Sequence, residues 1–287
     1  DAEGYLTWAA AAGGPFSRDL DTFEEDVQPL PASALAAIEK ADGSDAIALS
    51  LHGSDGDDSF MLAGGRVDVT LEGVASWGFT FTGVGALSLD GGGEGTDRIS
   101  VESDTDLTLT DTAVTGLPGI GVTLADIGQA ELIGGPGANV LDASGFTGPV
   151  TLRGNGGDDM LVGGDGDDTL AGGAGDDTYV FAGDGGGDTV VEGAGEGTDT
   201  LWAAAPLVVD DVSFTVADGL VSLTAGSGHA DTVVNVEQVL LPDESMYDVG
   251  TLDLSAQAVA EMEGGLADLA GLASLLQGTA CADGRDF

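Results

Sequence analysis

Along the middle of the chain a large apolar residue returns every nine positions, separated mostly by glycine, aspartate and small residues. From Gly154 to Val180 the chain reads GNGGDDMLV, GGDGDDTLA and GGAGDDTYV. These are three consecutive copies of G-G-x-G-x-D-x-U-x, where U is the apolar residue. Two looser copies follow, GDGGGDTVV from Gly183 and AGEGTDTLW from Ala194, each displaced by a two-residue insertion. Isolated copies lie upstream: GSDGDDSFM from Gly53, GGEGTDRIS from Gly92 and GGPGANVLD from Gly134, the last with Asn139 in place of aspartate. The eighth position is held by Phe60, Ile99, Leu141, Leu161, Leu170, Tyr179, Val190 and Leu201. A flexible Gly/Asp linker has no reason to keep an apolar residue there in every copy.

The nonapeptide predicts its own local structure. Its first six residues must turn sharply, and glycine supplies positive-φ conformations without a Cβ clash. The last three form a short strand whose central residue points inward. Two nonapeptides then make one coil, with turns on opposite sides and apolar residues between. Flanking segments alternate apolar and polar residues as strands do: FTGVGALSLDGG (81–92), LADIGQAELIGG (124–135) and VVNVEQVLLPD (233–243). In the first two, about 42 residues apart, a strand is expected to run straight into a glycine loop.

The expected fold is therefore all-β, a parallel β-roll or β-solenoid with metal-binding turns, flanking β-rich coils and a short C-terminal helix. Residues 1–44 read as a mixed N-terminal segment, broken by Pro29 and Pro31, with a short helix at 32–40. Residues 45–150 read as wider coils with isolated glycine turns, 151–202 as the tight roll, and 203–254 as a β-rich cap. Residues 255–287 form a helical segment. There Val259, Met262, Leu266, Leu269 and Leu272 recur at helical spacing, and Gly264 and Gly265 weaken the helix by roughly 1 kcal/mol each. That helix carries no basic residue across 255–277, which suits a packing element rather than a membrane binder.

Charge sharpens the picture. The chain of 287 residues has 51 acidic residues against six Lys plus Arg, a net charge of −45, and 50 glycines. So large a charge resists compaction unless something neutralises it, and it excludes nucleic acid and anionic membrane as partners. Yet 42% of the residues are hydrophobic, too many for a disordered chain, and bound cations reconcile the two. The one cysteine, Cys281, forms no internal disulfide framework, and no apolar run is long enough for a transmembrane helix. The chain opens on Asp1 without a signal-peptide pattern, so it is expected to be a processed product or part of a longer protein.

Calcium is the cation these turns suit. It takes six to eight oxygen ligands, from carboxylates and carbonyls alike. Stacked turns offer both. Turns on one side of the coil are two repeats apart, which pairs Asp159 with Asp177, Asp168 with Asp188, and Asp177 with Asp199. Two carboxylates about 4 Å apart repel by roughly 4 kcal/mol at an effective dielectric of 20, and a divalent ion between them reverses the sign. The candidate set adds Gly154, Gly156, Gly163, Gly172, Ala174, Gly183 and Gly185, whose carbonyls line the turns. It also includes the neighbouring carboxylates Asp158, Asp165, Asp167 and Asp176, and Asp58, Asp97 and Asn139 in the isolated copies. Magnesium prefers rigid octahedral geometry and zinc wants Cys or His clusters, which are lacking here.

These residues resemble the haemolysin-type calcium-binding repeats of the repeat-in-toxin (RTX) family, most specifically at 154–180 and well through 202. The resemblance implies a right-handed parallel β-roll, several calcium ions between successive turns, and one-step export into calcium-rich surroundings. Carried over, the aspartate ligands fall on Asp159, Asp168, Asp177, Asp188 and Asp199.

No H-E-x-x-H, G-x-S-x-G or P-loop motif occurs, and Ser227, His229 and Asp231 are too crudely spaced for a triad. The chain therefore reads as no enzyme. Its expected role is a calcium-stiffened structural or adhesive segment of a secreted or cell-surface bacterial protein. Besides calcium, further copies of the chain or surface ligands are its expected partners. The alternative is a C-terminal folding and export module of a secreted enzyme or toxin, which the final DGRDF faintly suggests.

Overall fold

A computed structural model describes residues 5–10, 14–19, 47–53, 56–70, 77–80, 84–181, 186–193, 196–204, 212–217, 220–225, 229–234, 236–240, 244 and 246–248. The helices expected at 32–40 and 255–277, and Gly183 and Gly185, lie outside the described residues.

The described residues form strands and turns, with the strands gathered into one 13-stranded and one 11-stranded sheet. Through the middle of the chain successive strands alternate between the sheets. Val140–Gly145 lies in the first and Val150–Gly156 in the second, then Met160–Val162, Thr169–Ala174, Thr178–Phe181, Thr189–Val191 and Thr200–Ala203 continue the alternation. Each pairs in parallel with the strand one coil away. This is a parallel β-roll.

The apolar residues fall into two facing columns. In the first sheet Leu141, Leu161, Tyr179, Leu201 and Val239 are register partners in turn. In the second, Leu62, Val101, Leu132, Leu152, Leu170, Val190 and Val233 are. All are buried. The eighth positions thus sort by side: those of the copies from Gly134, Gly154, Gly172 and Ala194 in one sheet, those from Gly163 and Gly183 in the other. Phe60 and Ile99 pair with each other in the second sheet, two residues ahead of the Leu170 column. The upstream copies are stacked on their own register.

The upstream coils are wider. Most strands there carry two inward residues, as Phe60 and Leu62, Ile99 and Val101, or Leu107 and Leu109 do. An antiparallel meander, Leu107–Thr110, Ala113–Thr115 and Gly121–Ala125, is spliced into the first sheet. One expectation is corrected here. Residues 124–135 do not form a single strand like 84–90; they divide into Gly121–Ala125 in one sheet and Gln129–Ile133 in the other. Asp126, with φ 51°, breaks the strand, and the chain crosses over at Gly128. Residues 233–243 divide likewise, between His229–Val234 and Gln238–Leu240.

The ends are antiparallel. Tyr5–Ala10 and Gly14–Asp19 form a hairpin added to Ile47–His52. Arg66–Thr70 and Trp77–Thr80 extend Ser59–Ala63. Downstream, Val212–Ala217 and Leu220–Ala225 pair beside His229–Val234, and Met246–Asp248 follows Gln238–Leu240. Within the described strands, then, the parallel coils do not end on bare parallel edges.

Candidate metal centre

Each turn of the roll enters from a strand end, passes its glycines and delivers the sixth-position residue just before the next strand. Because the strands stack in register, those residues stack too. On the side of the first sheet the Asn139 N–H donates to Asp159 Oδ1 (2.6 Å), Asp159 N–H to Asp177 Oδ1 (2.7 Å), Asp177 N–H to Asp199 Oδ1 (3.0 Å) and Asp199 N–H to Glu237 Oε2 (2.9 Å). On the opposite side the Val150 N–H donates to Asp168 Oδ1 (2.8 Å), Asp168 N–H to Asp188 Oδ1 (3.0 Å) and Asp188 N–H to Asp231 Oδ1 (3.0 Å). Upstream a shorter ladder joins the Asp58 N–H to Asp97 Oδ1 (2.9 Å). Asp58, Asp97, Asn139, Asp159, Asp168, Asp177, Asp188, Asp199 and Asp231 are all buried.

The first glycine of each turn is the floor under this carboxylate. A Cβ on Gly154 would collide with Asp159 Oδ2, one on Gly163 with Asp168 Oδ2 and one on Gly172 with Asp177 Oδ2. The same Cβ on Gly154 would meet the Gly172 carbonyl, so that oxygen too faces the gap. Gly175 shows why the turn needs glycine later on: its φ is 135°, and a Cβ there would run into the Gly157 carbonyl of the coil before.

The remaining candidates do not join the buried ladders. Asp158, Asp165, Asp167, Asp176 and Ala174 are exposed. The Asp176 N–H donates to Asp158 Oδ1 (3.0 Å), Gly187 N–H to Asp167 Oδ1 (2.8 Å) and Thr198 N–H to Asp176 Oδ1 (2.8 Å). These fifth-position carboxylates form an outer row that faces the next coil, while the sixth-position row faces inward. Asn139 keeps its place in the inner row, its Oδ1 accepting the Gly135 N–H (2.8 Å). Gly156 is half-buried, packed near the Ala174 carbonyl.

Burying carboxylates among carboxylates is electrostatically costly. Burial, with Asp159 and Asp199 nearby, pushes the Asp177 carboxyl up to about 7 against the partial relief of the Asp159 N–H. Burial likewise pushes Asp97 up to about 6, and raises Asp159 and Asp199. The Oδ2 atoms of Asp159 and Asp177 are buried and accept no hydrogen bond. Such oxygens, with a glycine carbonyl beside them and no His or Cys in residues 154–202, suit a hard divalent cation of calcium's kind.

Three participants escaped the sequence reading. Glu192 is buried, accepts the Gly172 N–H on Oε1 (2.9 Å), and is pushed up to about 7 by burial and by Asp199. Asp177, Glu192 and Asp199 each place a carboxylate oxygen within 4.8 Å of the others. Asp231 and Glu237 extend the two ladders. The signal for Asp231 was present: DTVV at 188–191 returns as DTVV at 231–234. Asp231 thus belongs to the ladder, as the acceptor for Asp188.

Comparison with known proteins agrees with this geometry over the tandem block. Residues 151–179 match the family described as RTX calcium-binding nonapeptide repeats. No curated protein matches the chain. Among solved structures, the crystal structure of the extracellular lipase LipA from Serratia marcescens is similar at 18% sequence identity. The match covers 65% of this chain and 38% of that lipase, with a TM-score of 0.23.

Proposed function

We propose that this chain, whose residues 151–179 are RTX calcium-binding nonapeptides, is a calcium-folded structural or adhesive segment of a secreted or cell-surface bacterial protein. The observation that carries the proposal is the inner ladder itself. Carboxylates stand one above another, buried, with the Oδ2 atoms of Asp159 and Asp177 lacking any hydrogen-bond donor. A fold cannot keep such a column anionic at neutral pH by hydrogen bonds alone, and divalent ions between the turns supply the missing charge. Since the unfolded chain cannot assemble the column, ion-binding free energy becomes folding free energy.

The rest of the role follows from shape and charge. A stack of repeated coils is quasi-one-dimensional and suits stalks and extended contact faces. The net charge of −45 keeps nucleic acid and anionic lipid away. Among the described residues no helix is long and apolar enough to cross a membrane. Calcium-rich surroundings outside the cell would load the turns after export. We assign the chain no chemistry of its own.

Far-ultraviolet circular dichroism tests the reading. Chelation should remove much of the β signal, and calcium, but not magnesium, should restore it. A spectrum indifferent to calcium would refute the proposal.

A further inference from the structure

We propose that Glu192 is a metal ligand, which gives the stacked coils a three-carboxylate site built from Asp177, Glu192 and Asp199. The inference rests on the calcium reading above and names a ligand that the nonapeptide pattern does not contain.

The argument starts from register. Leu170 pairs with Val190, so two residues later Gly172 stands over Glu192, as Gly154 stands over Gly172. Glu192 therefore occupies the column in which the two turns before it have glycine. At Gly154 and Gly172 that place is filled by the carboxylate of the same turn, leaving no room for a Cβ. The insertion that displaces the following copy relaxes this constraint, and a glutamate enters.

Its side chain turns inward. Glu192 is 4% exposed, and Oε1 is held by the N–H groups of Gly172 (2.9 Å) and Gly173 (3.4 Å). The Tyr179 hydroxyl also meets the Gly172 N–H (2.7 Å), closing the apolar side of the site. The carboxylate sits within 4.8 Å of carboxylate oxygens from Asp177 and Asp199. Asp177 is 1% exposed, and its Oδ2, packed against Gly172, has no hydrogen-bond donor. That oxygen is the independent sign that the cluster awaits a cation. Ligand charge count tunes calcium affinity, so a third carboxylate should make this the tightest ion in the roll.

Calcium titration calorimetry on the intact chain decides it, with Glu192→Gln compared against Glu196→Gln. Glu196 is exposed in the same turn and bonded to the Gly193 N–H, so its variant removes the same charge from the same loop. Glu192→Gln should weaken one ion by about tenfold or more, and Glu196→Gln by less than about twofold. Should Glu192→Gln not fold, Glu192→Gly supplies the residue found at Gly154 and Gly172, and should weaken the same ion by a similar factor. Wild-type affinity in the variant that folds overturns the role of Glu192 while leaving the calcium reading intact. An unmodified chain that binds no calcium overturns both.

Discussion

The coils around 98–133 and those around 157–202 share one path through space but are held together by different means. In the upstream coils every strand but the short Ala113–Thr115 turns two apolar residues inward, and Val101, Leu132 and Leu109 are completely buried. That region also has counter-ions within reach: Arg98, and Arg153 from the next coil, both reach Glu131, at 2.7 and 3.0 Å. Burial raises the Glu131 carboxyl, but the hydrogen bonds and charges of the two arginines outweigh it and hold it below the usual range. Downstream, short strands such as Met160–Val162 and Thr189–Val191 turn one residue inward each. Residues 154–202 contain no Lys, Arg or His, yet every described turn there delivers a buried carboxylate. What the roll lacks in apolar area it must obtain from ions. On the proposed reading, one solenoid uses two ways to hold coils together, exchanging hydrophobic area for metal.

The comparison can be broken by mutating each side and asking whether calcium matters. Leu132→Ala, in the upstream core, should cost about 2–5 kcal/mol of stability with calcium or with chelator, because it leaves a cavity among apolar neighbours. Thermal melting in both buffers checks it, and a loss seen only in calcium would contradict the division. Asp177→Ala should behave oppositely. With calcium at about a hundred times its dissociation constant, losing one ion costs about 2.7 kcal/mol. With chelator the same change should be neutral or stabilising, since it removes a buried charge.

Proton linkage gives a smaller effect of definite sign. Asp177 and Glu192 titrate near 7 and Asp97 near 6 in the folded chain, all above the unfolded carboxylate range. Without metal the folded state therefore holds protons that the unfolded chain has released. The resulting stability is fully present below about pH 4 and is lost as pH rises through 6 to 7. In chelator the melting temperature should rise on acidification from pH 7.5 to 5. In calcium it should fall, because protons compete for the same oxygens. Slopes of equal sign in the two buffers would contradict the account.

Much of this was legible in residue order. The nine-residue return of Leu161, Leu170 and Tyr179 announces the roll, and Asp159, Asp168 and Asp177 announce the inner row. Three things were harder to see. The place of the fifth-position candidates was one: Asp158 faces solvent while Asp159 faces the interior, because neighbouring residues of an extended chain point to opposite sides. Asp126 hides a strand crossing inside an alternating stretch that otherwise reads as continuous. Glu192 departs from the repeat, and only the stacking of coils carries it to Asp177 and Asp199.

Hydrogen exchange resolved by peptide, with calcium and with chelator, tests the central claim most directly. Amides of 157–202 should be protected in calcium and exchange rapidly once it is withdrawn, while those of 98–133 stay protected in both. Equal protection of 157–202 in chelator would show that the carboxylate ladders stand without ions, and would contradict the account.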